Sequence, residues 1–461
     1  MPMKYVCCLA MLLLAGPSLR AEVPSAVAIK DAHVVTVSGA ELVKATVLLR
    51  DGLIQDVGVN LSVPPDAWVI DGTGLTVYPG FIDGLSTWGI PAAAAPAPAS
   101  GSAAAQTSAA PAAPRSHGPE DRPQTYSFER AADLVNPSDS RLEAARAAGF
   151  TTSATFPNRG ILEGLGAMVD LAGQRGRDMV ILQPIGQQIV FRTGGFGSRT
   201  GFPASLMGNI SYVRQLYLDL GQYKEAKQIY ASHPSGNRRP EYDHDLEGLA
   251  ESPRILLPAS EAQQIDRMLS FGNELKTPFV LYGLHEAYRR VDQLKQANVP
   301  LLVSLKWPEK PKDADPNDIP NYRELEMRAK APAVPGMLAK AGVKFAFYSD
   351  GVNTAPELKK AVKKAIDTGL SRADAVRALT LGVAEMYGVS DRLGTIEKGK
   401  IANLVVMKGE AFEDKTSIEY VFIDGKEFKP SKEAQQGPPR GSGAEQKPNP
   451  TDGDVNGGGI N

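Results

Sequence analysis

Histidine, the side chain most typical of catalytic zinc sites, occurs only five times and is scattered along the chain. His233 and the run Asp243-His244-Asp245 combine imidazole and carboxylate groups, which are donors that zinc takes in proteins. They lie in a polar stretch with Ser235-Gly236-Asn237, which we interpret as a solvated loop, with a metal site as the alternative. His33 lies in a strand-like segment and His117 in an Ala/Pro-rich one, so neither is a candidate ligand.

Little in the sequence predicts nucleophilic catalysis or phosphate binding. Cys7 and Cys8 are the only cysteines, and they lie within residues 1–21. That segment has Lys4, an apolar run and then small residues, which is the pattern of a secretory signal. Once it is removed, no thiol nucleophile and no disulfide is left. Residues 192–199 are glycine-rich, but no Lys-Ser/Thr follows them, so we predict a mobile loop rather than a phosphate-binding loop.

The charge balance argues against nucleic acid as a partner. The chain has 50 basic and 52 acidic residues, and removal of Lys4 and Arg20 leaves 48 basic ones, a net charge near −4. Proteins that bind nucleic acid present a basic face, which this composition does not favour. No later stretch reaches the roughly 20 apolar residues that a membrane span needs. We expect a protein without a membrane span that is exported to the periplasm or secreted.

Segments that favour strands occur at both ends of the chain. A β-branched run at 27–37 is followed by further runs and by turn residues such as Asp51-Gly52. Near the other end, 402–407 offers a matching run. We therefore predict a small composite β-sandwich domain, built from residues 22–79 and 389–428.

The pattern between these ends is an alternation of strands and helices. Buried-strand runs such as 279–282 and 301–304 are separated by helical stretches such as 286–297. This alternation predicts a parallel sheet covered by helices, open or closed into a barrel, over residues 80–388. The helical stretch 208–232 does not fit the alternation, and we interpret it as an insertion.

Two segments have compositions that do not support a folded core. Residues 92–123 are almost wholly Ala, Pro, Ser and Gly, and residues 429–461 are rich in Pro, Gly and Asn. Neither can bury enough apolar surface to offset the entropy lost on ordering. We predict that both segments are disordered.

Four stretches resemble the metal-dependent amidohydrolase superfamily, in its imidazolonepropionase-like branch. Tyr78-Pro-Gly-Phe-Ile-Asp83 is similar to the family's first barrel strand, where His-x-His follows the aspartate. Phe347-Tyr-Ser-Asp350 resembles its eighth strand, and the other two stretches cover residues 136–161 and 369–406. The resemblance implies an α/β fold, with a (β/α)8 TIM-like barrel beside the small β-sandwich domain.

The family's chemistry, as the resemblance implies it, needs one or two divalent metals, usually zinc. They activate a water that attacks a carbon–nitrogen or related bond. This chain departs from the pattern at the metal-ligand positions. Leucine and proline carry no donor atom in the side chain, so we expect no cofactor, and zinc only if the protein is active. The residues at these positions are Leu85 and Thr87 in the first strand, Leu257 or Pro258 at the third position, and Tyr282 or Gly283 at the fourth.

Two residues remain as candidates for a site. Asp350 matches the strand-eight aspartate, which the resemblance implies is the general base, and the alternative is a helix N-cap or a loop carboxylate before Pro356. His285 lies two or three residues past an expected ligand strand. It could join Asp350 in a rebuilt metal site, but we interpret it as a solvent-facing residue at the start of a helix.

The resemblance implies a hydrolase acting on carbon–nitrogen, non-peptide bonds. The substituted ligand positions favour a member of that family that is catalytically impaired. Two alternatives stay open: an active metal hydrolase with a rebuilt site, and a protein that binds a small molecule or an active amidohydrolase paralogue, in an oligomer. Fold by itself does not decide among these functions.

Overall fold

The computed structural model describes residues 26–91, 122–192, 202–310, 315, 319–352 and 354–430. Several predictions concern residues outside these ranges. They are the signal segment, His117, nearly all of the Ala/Pro-rich linker, the glycine-rich loop after Arg192 and the tail after residue 430.

The described residues form strands and α-helices in the following order. The strands are β1 (Ala26–Val34), β2 (Leu42–Arg50), β3 (Leu53–Val59), β4 (Trp68–Asp71), β5 (Leu75–Pro79), β6 (Phe81–Ser86), β7 (Phe150–Thr155), β8 (Leu162–Leu165), β9 (Ala167–Asp170), β10 (Val180–Leu182), β11 (Gln187–Ile189), β12 (Ile255–Ala259), β13 (Phe279–Gly283), β14 (Leu301–Ser304), β15 (Phe345–Tyr348), β16 (Leu404–Lys408), β17 (Ser417–Ile423) and β18 (Lys426–Phe428). The α-helices are α1 (Ala131–Leu134), α2 (Arg141–Ala147), α3 (Leu206–Ser232), α4 (His244–Glu251), α5 (Ala262–Leu275), α6 (Val291–Ala297), α7 (Tyr322–Lys330), α8 (Val334–Ala341), α9 (Ala355–Asp367), α10 (Arg372–Ala378) and α11 (Leu381–Tyr387).

Strands from both ends of the chain form one eight-stranded sheet. Its order is β18-β17-β16-β5-β1-β2-β3, and β4 also pairs with β1. The antiparallel pair of β5 and β16 joins the N-terminal strands to the C-terminal ones. The sequence prediction that both ends contribute strands to one β structure agrees with this sheet.

The middle of the chain contains the parallel strands that the sequence predicts. β11 to β15 pair in parallel, each with the next along the chain, and β6 pairs in parallel with β7. β8 and β9 pair antiparallel with β11 and β7, and these short strands interrupt the strand–helix alternation. The architecture is a mixed α/β fold.

The two faces of the parallel strands pack in different apolar clusters. Leu256 and Leu302 belong to a cluster that also holds residues of α11 and the segment after it. Their neighbours Leu257 and Val303 belong to the larger cluster, which includes residues of α5, α8 and α9. Because both faces are buried, these strands are continuous apolar runs rather than alternating ones.

The predicted helix 286–297 is shorter in the structure, and a second helical segment is divided. In the segment 286–297, α6 starts only at Val291, after a 3₁₀ turn. The segment 322–341 divides into α7 and α8, with a 3₁₀ turn that contains Pro332 between them. Proline lacks the N–H that an α-helix interior needs, which explains the division. No helix in the described part of the chain is long and apolar enough to span a bilayer.

Candidate functional site

The first two expected ligand positions lie on β6 and just after it. Leu85 is buried, with 6% of its surface exposed, in an apolar cluster with Tyr348. The Thr87 hydroxyl accepts a hydrogen bond from Arg141 Nη1 at 3.1 Å. The Asp139 carboxylate holds this guanidinium in place by accepting from its Nη2 at 2.6 Å. The first expected position is therefore a hydrocarbon side chain. At the second, the hydroxyl oxygen already accepts from the positively charged Arg141.

Side chains alternate between the two faces of β12, which holds the third expected ligand position. Leu256 belongs to the same apolar cluster as Leu85, whereas Leu257 belongs to the other cluster. Pro258 lies two residues after Leu256, so it shares that face of the strand. Pro258 is therefore the alternative that shares a face with the Leu85 cluster, and it offers no side-chain donor atom.

Two residues of β13, Tyr282 and Gly283, are candidates for the fourth expected position, and they lie on opposite faces of the strand. Tyr282 lies two residues after Val280 and in the same cluster. Gly283 points the other way, with φ 104°, and a Cβ added there would lie 2.4 Å from Ser260 Oγ. The Tyr282 hydroxyl donates to the backbone carbonyl of Ile189 at 2.9 Å. The phenol is thus a neutral donor that is already engaged with the backbone.

Asp83, at the end of the matched first-strand motif, is fully buried and has its hydrogen bonds inside the protein. Its carboxylate accepts from the Ser349 backbone N–H at 2.8 Å and from the Ser349 hydroxyl at 2.5 Å. Burial raises the pKa of Asp83 to about 7, although these donors lower it, and the nearby charge of Asp350 raises it further. This carboxyl therefore ties β6 to the residues after β15.

Asp350 follows β15 and contacts the neighbouring strand. Its Oδ2 accepts from the Ser304 hydroxyl at 2.7 Å and from the Tyr348 hydroxyl at 3.4 Å. It does not cap the helix that follows, because the N-cap residue of α9 is Thr354. The carboxylate is therefore positioned at the carboxyl ends of β14 and β15, the edge at which parallel α/β sheets carry their ligand sites.

His285 follows β13, at the same carboxyl-end edge of the parallel strands as Asp350. Its Nε2 lies 3.0 Å from the backbone oxygen of Lys306, which follows β14, and this hydrogen bond is exposed. The 3₁₀ turn begins two residues later, at Ala287.

The Asp243-His244-Asp245 run is the one place in the described ranges where three or more possible ligand groups lie within 4.8 Å of each other. Asp243 is the N-cap of α4, where it accepts from the Leu246 N–H. Its carboxylate also accepts from Arg122 Nη1 at 2.6 Å. The Asp243 carboxylate is thus already paired with an arginine. Asp350, His285 and His233 are not part of this run, and His33 pairs with Glu41 at 3.0 Å.

The residues at the expected metal positions do not fit a divalent ion. A metal centre of this type needs about three protein donors around the ion. Leu85 and Pro258 supply none, Thr87 is bound by Arg141, and the Asp83 oxygens accept from Ser349. No step of a reaction can be assigned to a metal on this donor set.

Two residues near the carboxyl ends of the parallel strands, which we call the rim, were not predicted as site residues from the sequence. Glu163, on β8, is buried with 4% of its surface exposed, and its Oε1 accepts from Arg192 Nη2 at 2.5 Å. Burial raises the pKa of Glu163 to about 8, although the positive charge of Arg192 lowers it. Arg192 is fixed by Asn209 on α3, which accepts from its backbone N–H. Nothing in the sequence predicted β8 as a strand, so no signal placed Glu163 in a site.

Glu163 and Asp350 both raise the pKa of the Tyr282 hydroxyl. Burial is the largest cause of the raised pKa of Tyr282, followed by the charge of Glu163, and Asp350 raises it further. The rings of Tyr282 and Tyr348 meet edge to face, with centroids 6.2 Å apart. The carboxyl groups of Glu163 and Asp350 and the two phenols therefore lie near one another in a largely apolar surrounding.

Comparisons with known proteins agree with the fold. Residues 259–428 match the model of the amidohydrolase family. An amidohydrolase from Thermotoga maritima MSB8 has a similar structure, with TM-score 0.68 and 24% identity over 87% of this chain and 100% of that one. A Xaa-Pro dipeptidase with bound methionine has TM-score 0.53 and 15% identity over 88% of this chain and 100% of that one.

One curated protein is similar over a short stretch. The adenine deaminase of Moorella thermoacetica is 35% identical over 69 residues, which is 15% of this chain. The chain spans only 11% of the length of that relative. The family match covers residues 259–428, and the solved structures, each under 25% identical, show a similar fold over about 87% of the chain.

Proposed function

We propose that this chain is an amidohydrolase-fold protein that has lost metal-dependent hydrolysis and binds a small polar molecule at the rim of its parallel strands. The observation that carries the proposal is the identity of the four ligand positions. They are Leu85, Thr87, Pro258 and Tyr282, and none is a histidine. A site without imidazoles or free carboxylates at these positions cannot hold the ion that activates water in this family.

The remaining rim groups favour binding. Tyr348 and Ser304 hold the Asp350 carboxylate in one orientation, and Arg192 does the same for Glu163. Preorganised polar groups of this kind, with Glu163 buried and Asp350 half-buried, are typical of sites for small molecules when the surrounding is apolar. A ligand with a hydrogen-bond donor facing Asp350 and an acceptor facing a protonated Glu163 would complement them.

The proposal includes a closed (β/α)8 barrel. A Cβ added to Gly84 on β6 would lie 2.7 Å from the backbone oxygen of Phe347 on β15 and 2.5 Å from Leu302 Cδ2 on β14. Such close backbone approach supports closure between the first and last parallel strands. We also propose that the sheet from both chain ends forms the small β-sandwich domain, over its own buried cluster that includes Ile29 and Phe422.

We further propose that the protein works after export, because residues 1–21 have the pattern of a secretory signal. Periplasmic or secreted localisation is tested by fractionation of cells that express the tagged chain. Retention of the uncleaved protein in the cytoplasm would contradict it.

The functional proposal is tested with adenine and with alanyl-proline, substrates chosen from the names of the similar proteins. Hydrolysis of each is measured with added zinc, with added manganese and with a chelator. We expect no turnover above buffer in any condition. Metal-dependent turnover that is abolished in Asp350→Asn would refute the proposal and favour a rebuilt hydrolase site.

Binding is measured separately, as the shift in melting temperature with a library of polar metabolites. Any ligand that stabilises the protein should lose most of its effect in Asp350→Asn and in Glu163→Gln. The matched control is Asp391→Asn, an aspartate whose side chain is 74% exposed. A ligand shift that survives both rim substitutions would place the binding site elsewhere.

A further inference from the structure

Helix α3 is much longer than the part of it that packs on the protein. It has 27 residues, but its buried residues all lie in the first fifteen, up to Leu220. From Gly221 to Ser232 every residue is exposed or only half-buried. The sequence singled out this helix as an insertion, and none of its residues enters the rim site except Asn209, which fixes Arg192.

Three large apolar side chains lie on one line of this helix, and all face solvent. Met207 is 81% exposed, Leu218 is 57% exposed and Ile229 is 47% exposed. They are eleven residues apart in each step, which is about three turns of an α-helix, so they share one face. Leu218 is the midpoint of the row. A row with this symmetry is complementary to a second copy of itself that runs in the opposite direction.

We propose that α3 pairs antiparallel with α3 of a second copy of this chain, with the two-fold axis at Leu218. In this register two residues face each other when their numbers add to 436. Leu218 meets Leu218 of the partner subunit, and Met207 meets Ile229 of the partner subunit. A two-fold contact of this kind uses the same patch on both copies and closes on itself.

The polar residues on the same face agree with this register. The residue numbers of Arg214 and Glu225 add to 439, three more than the 436 of directly facing residues. Arg214 therefore lies within one turn of Glu225 of the partner subunit, and this contact between opposite charges occurs twice by symmetry. Arg214 already pairs with Glu274 in its own chain, and Glu225 forms no ion pair with another residue of the described ranges. Gly221 lies on this face, and a Cβ there would touch nothing, so the helices can approach closely.

The expected dimer is weak. The row from Met207 to Ile229 spans about 33 Å at 1.5 Å per residue. A single helix pair of this length buries less than the ~800 Å² per partner of a stable interface. The dimer should therefore form in the micromolar range and dissociate on dilution.

Sedimentation velocity of the purified protein, from about 1 to 100 μM, tests the proposal. We expect a concentration-dependent rise towards twice the chain mass of 49.1 kDa. Leu218→Glu should weaken the association at least tenfold, because it brings two carboxylates together at the axis. The matched control Val43→Glu, at a 69% exposed valine on β2, should leave the association unchanged. A monomer at every concentration would overturn the proposal.

Cysteine cross-linking in a Cys7→Ser/Cys8→Ser background tests the register itself. Leu218→Cys should form a disulfide dimer under mild oxidation. Met207→Cys alone and Ile229→Cys alone should not, but a mixture of the two should. Within one helix, residues 207 and 229 are about 33 Å apart, far beyond the ~7 Å limit for a disulfide, so the mixed product must join two copies. A dimer that cross-links through Met207→Cys alone would refute this register.

Discussion

Replacement of Asp83 by asparagine should flatten the pH dependence of stability. Asp83 is fully buried, and burial raises its pKa from 3.8 to about 7. Asparagine has nearly the same shape, its oxygen can accept from the Ser349 N–H, and its amide can donate to the Ser349 hydroxyl. The substitution therefore removes the ionisation and keeps the hydrogen bonds that join β6 to the segment after β15.

The sign and size follow from the raised pKa. The neutral carboxyl is the favoured form in the folded protein, so its contribution is fully present below pH 3.8 and is lost as the pH rises to about 7. A shift of about three pH units corresponds to about 4 kcal/mol, at 1.36 kcal/mol per unit. Above pH 7 the Asp83→Asn protein should be the more stable one, and below pH 4 the difference should vanish or reverse.

Urea denaturation at pH values from 4 to 8.5 measures this difference. Asp170 and Glu163 also have raised pKa values, of about 7 and about 8, but they are present in both proteins and cancel in the difference. Asp391→Asn, at an exposed site, is the control and should reproduce the wild-type profile. The reasoning is refuted if the stability difference between Asp83→Asn and wild type stays constant within about 0.5 kcal/mol over this range.

Two further substitutions test the packing around the site. Asn403→Ala removes the amide that donates to Asp170 at 2.6 Å and to Thr152 at 3.0 Å, so the free energy of unfolding, measured in urea, should fall by about 2–4 kcal/mol. The control Asn237→Ala, at an exposed site, should change it by less than about 0.5 kcal/mol. An equal effect of the two substitutions would contradict the role of this buried network. Gly84→Ala places a Cβ 2.7 Å from the Phe347 carbonyl oxygen, so the free energy of unfolding should fall by about 1–3 kcal/mol. An unchanged free energy of unfolding would argue against direct packing of β6 on β15.

The sequence predicts the regular parts of this fold well. The runs predicted at 279–282 and 301–304 are strands β13 and β14, and such apolar runs stand out because both of their faces are buried. The short strands β8 to β11 were missed. They have three or four residues each, and their pairing depends on partners far away in the chain, which local patterns do not encode.

The candidate site was only partly predictable for the same reason. Asp350 and the substituted ligand positions were predicted from the motif around each strand, and these assignments stay predictions. Glu163 could not, because its place depends on the pairing of β8 with β11 and its partner Arg192 follows β11. Which of Tyr282 and Gly283 stands at the fourth ligand position stays a prediction; the structure adds that the two residues lie on opposite faces of β13.

The central claim is that the parallel strands of this protein do not hold a catalytic metal ion. The direct measurement is the metal content of the purified, dialysed protein by mass spectrometry, together with titration of zinc into the chelator-treated protein by calorimetry. We expect well under 0.1 equivalents of zinc, manganese, iron or nickel, and no binding tighter than about 100 μM, because Leu85 and Pro258 supply no donors and Thr87 is bound by Arg141. One equivalent of bound metal, lost in Asp350→Asn but kept in an Asp243→Asn control, would contradict the claim.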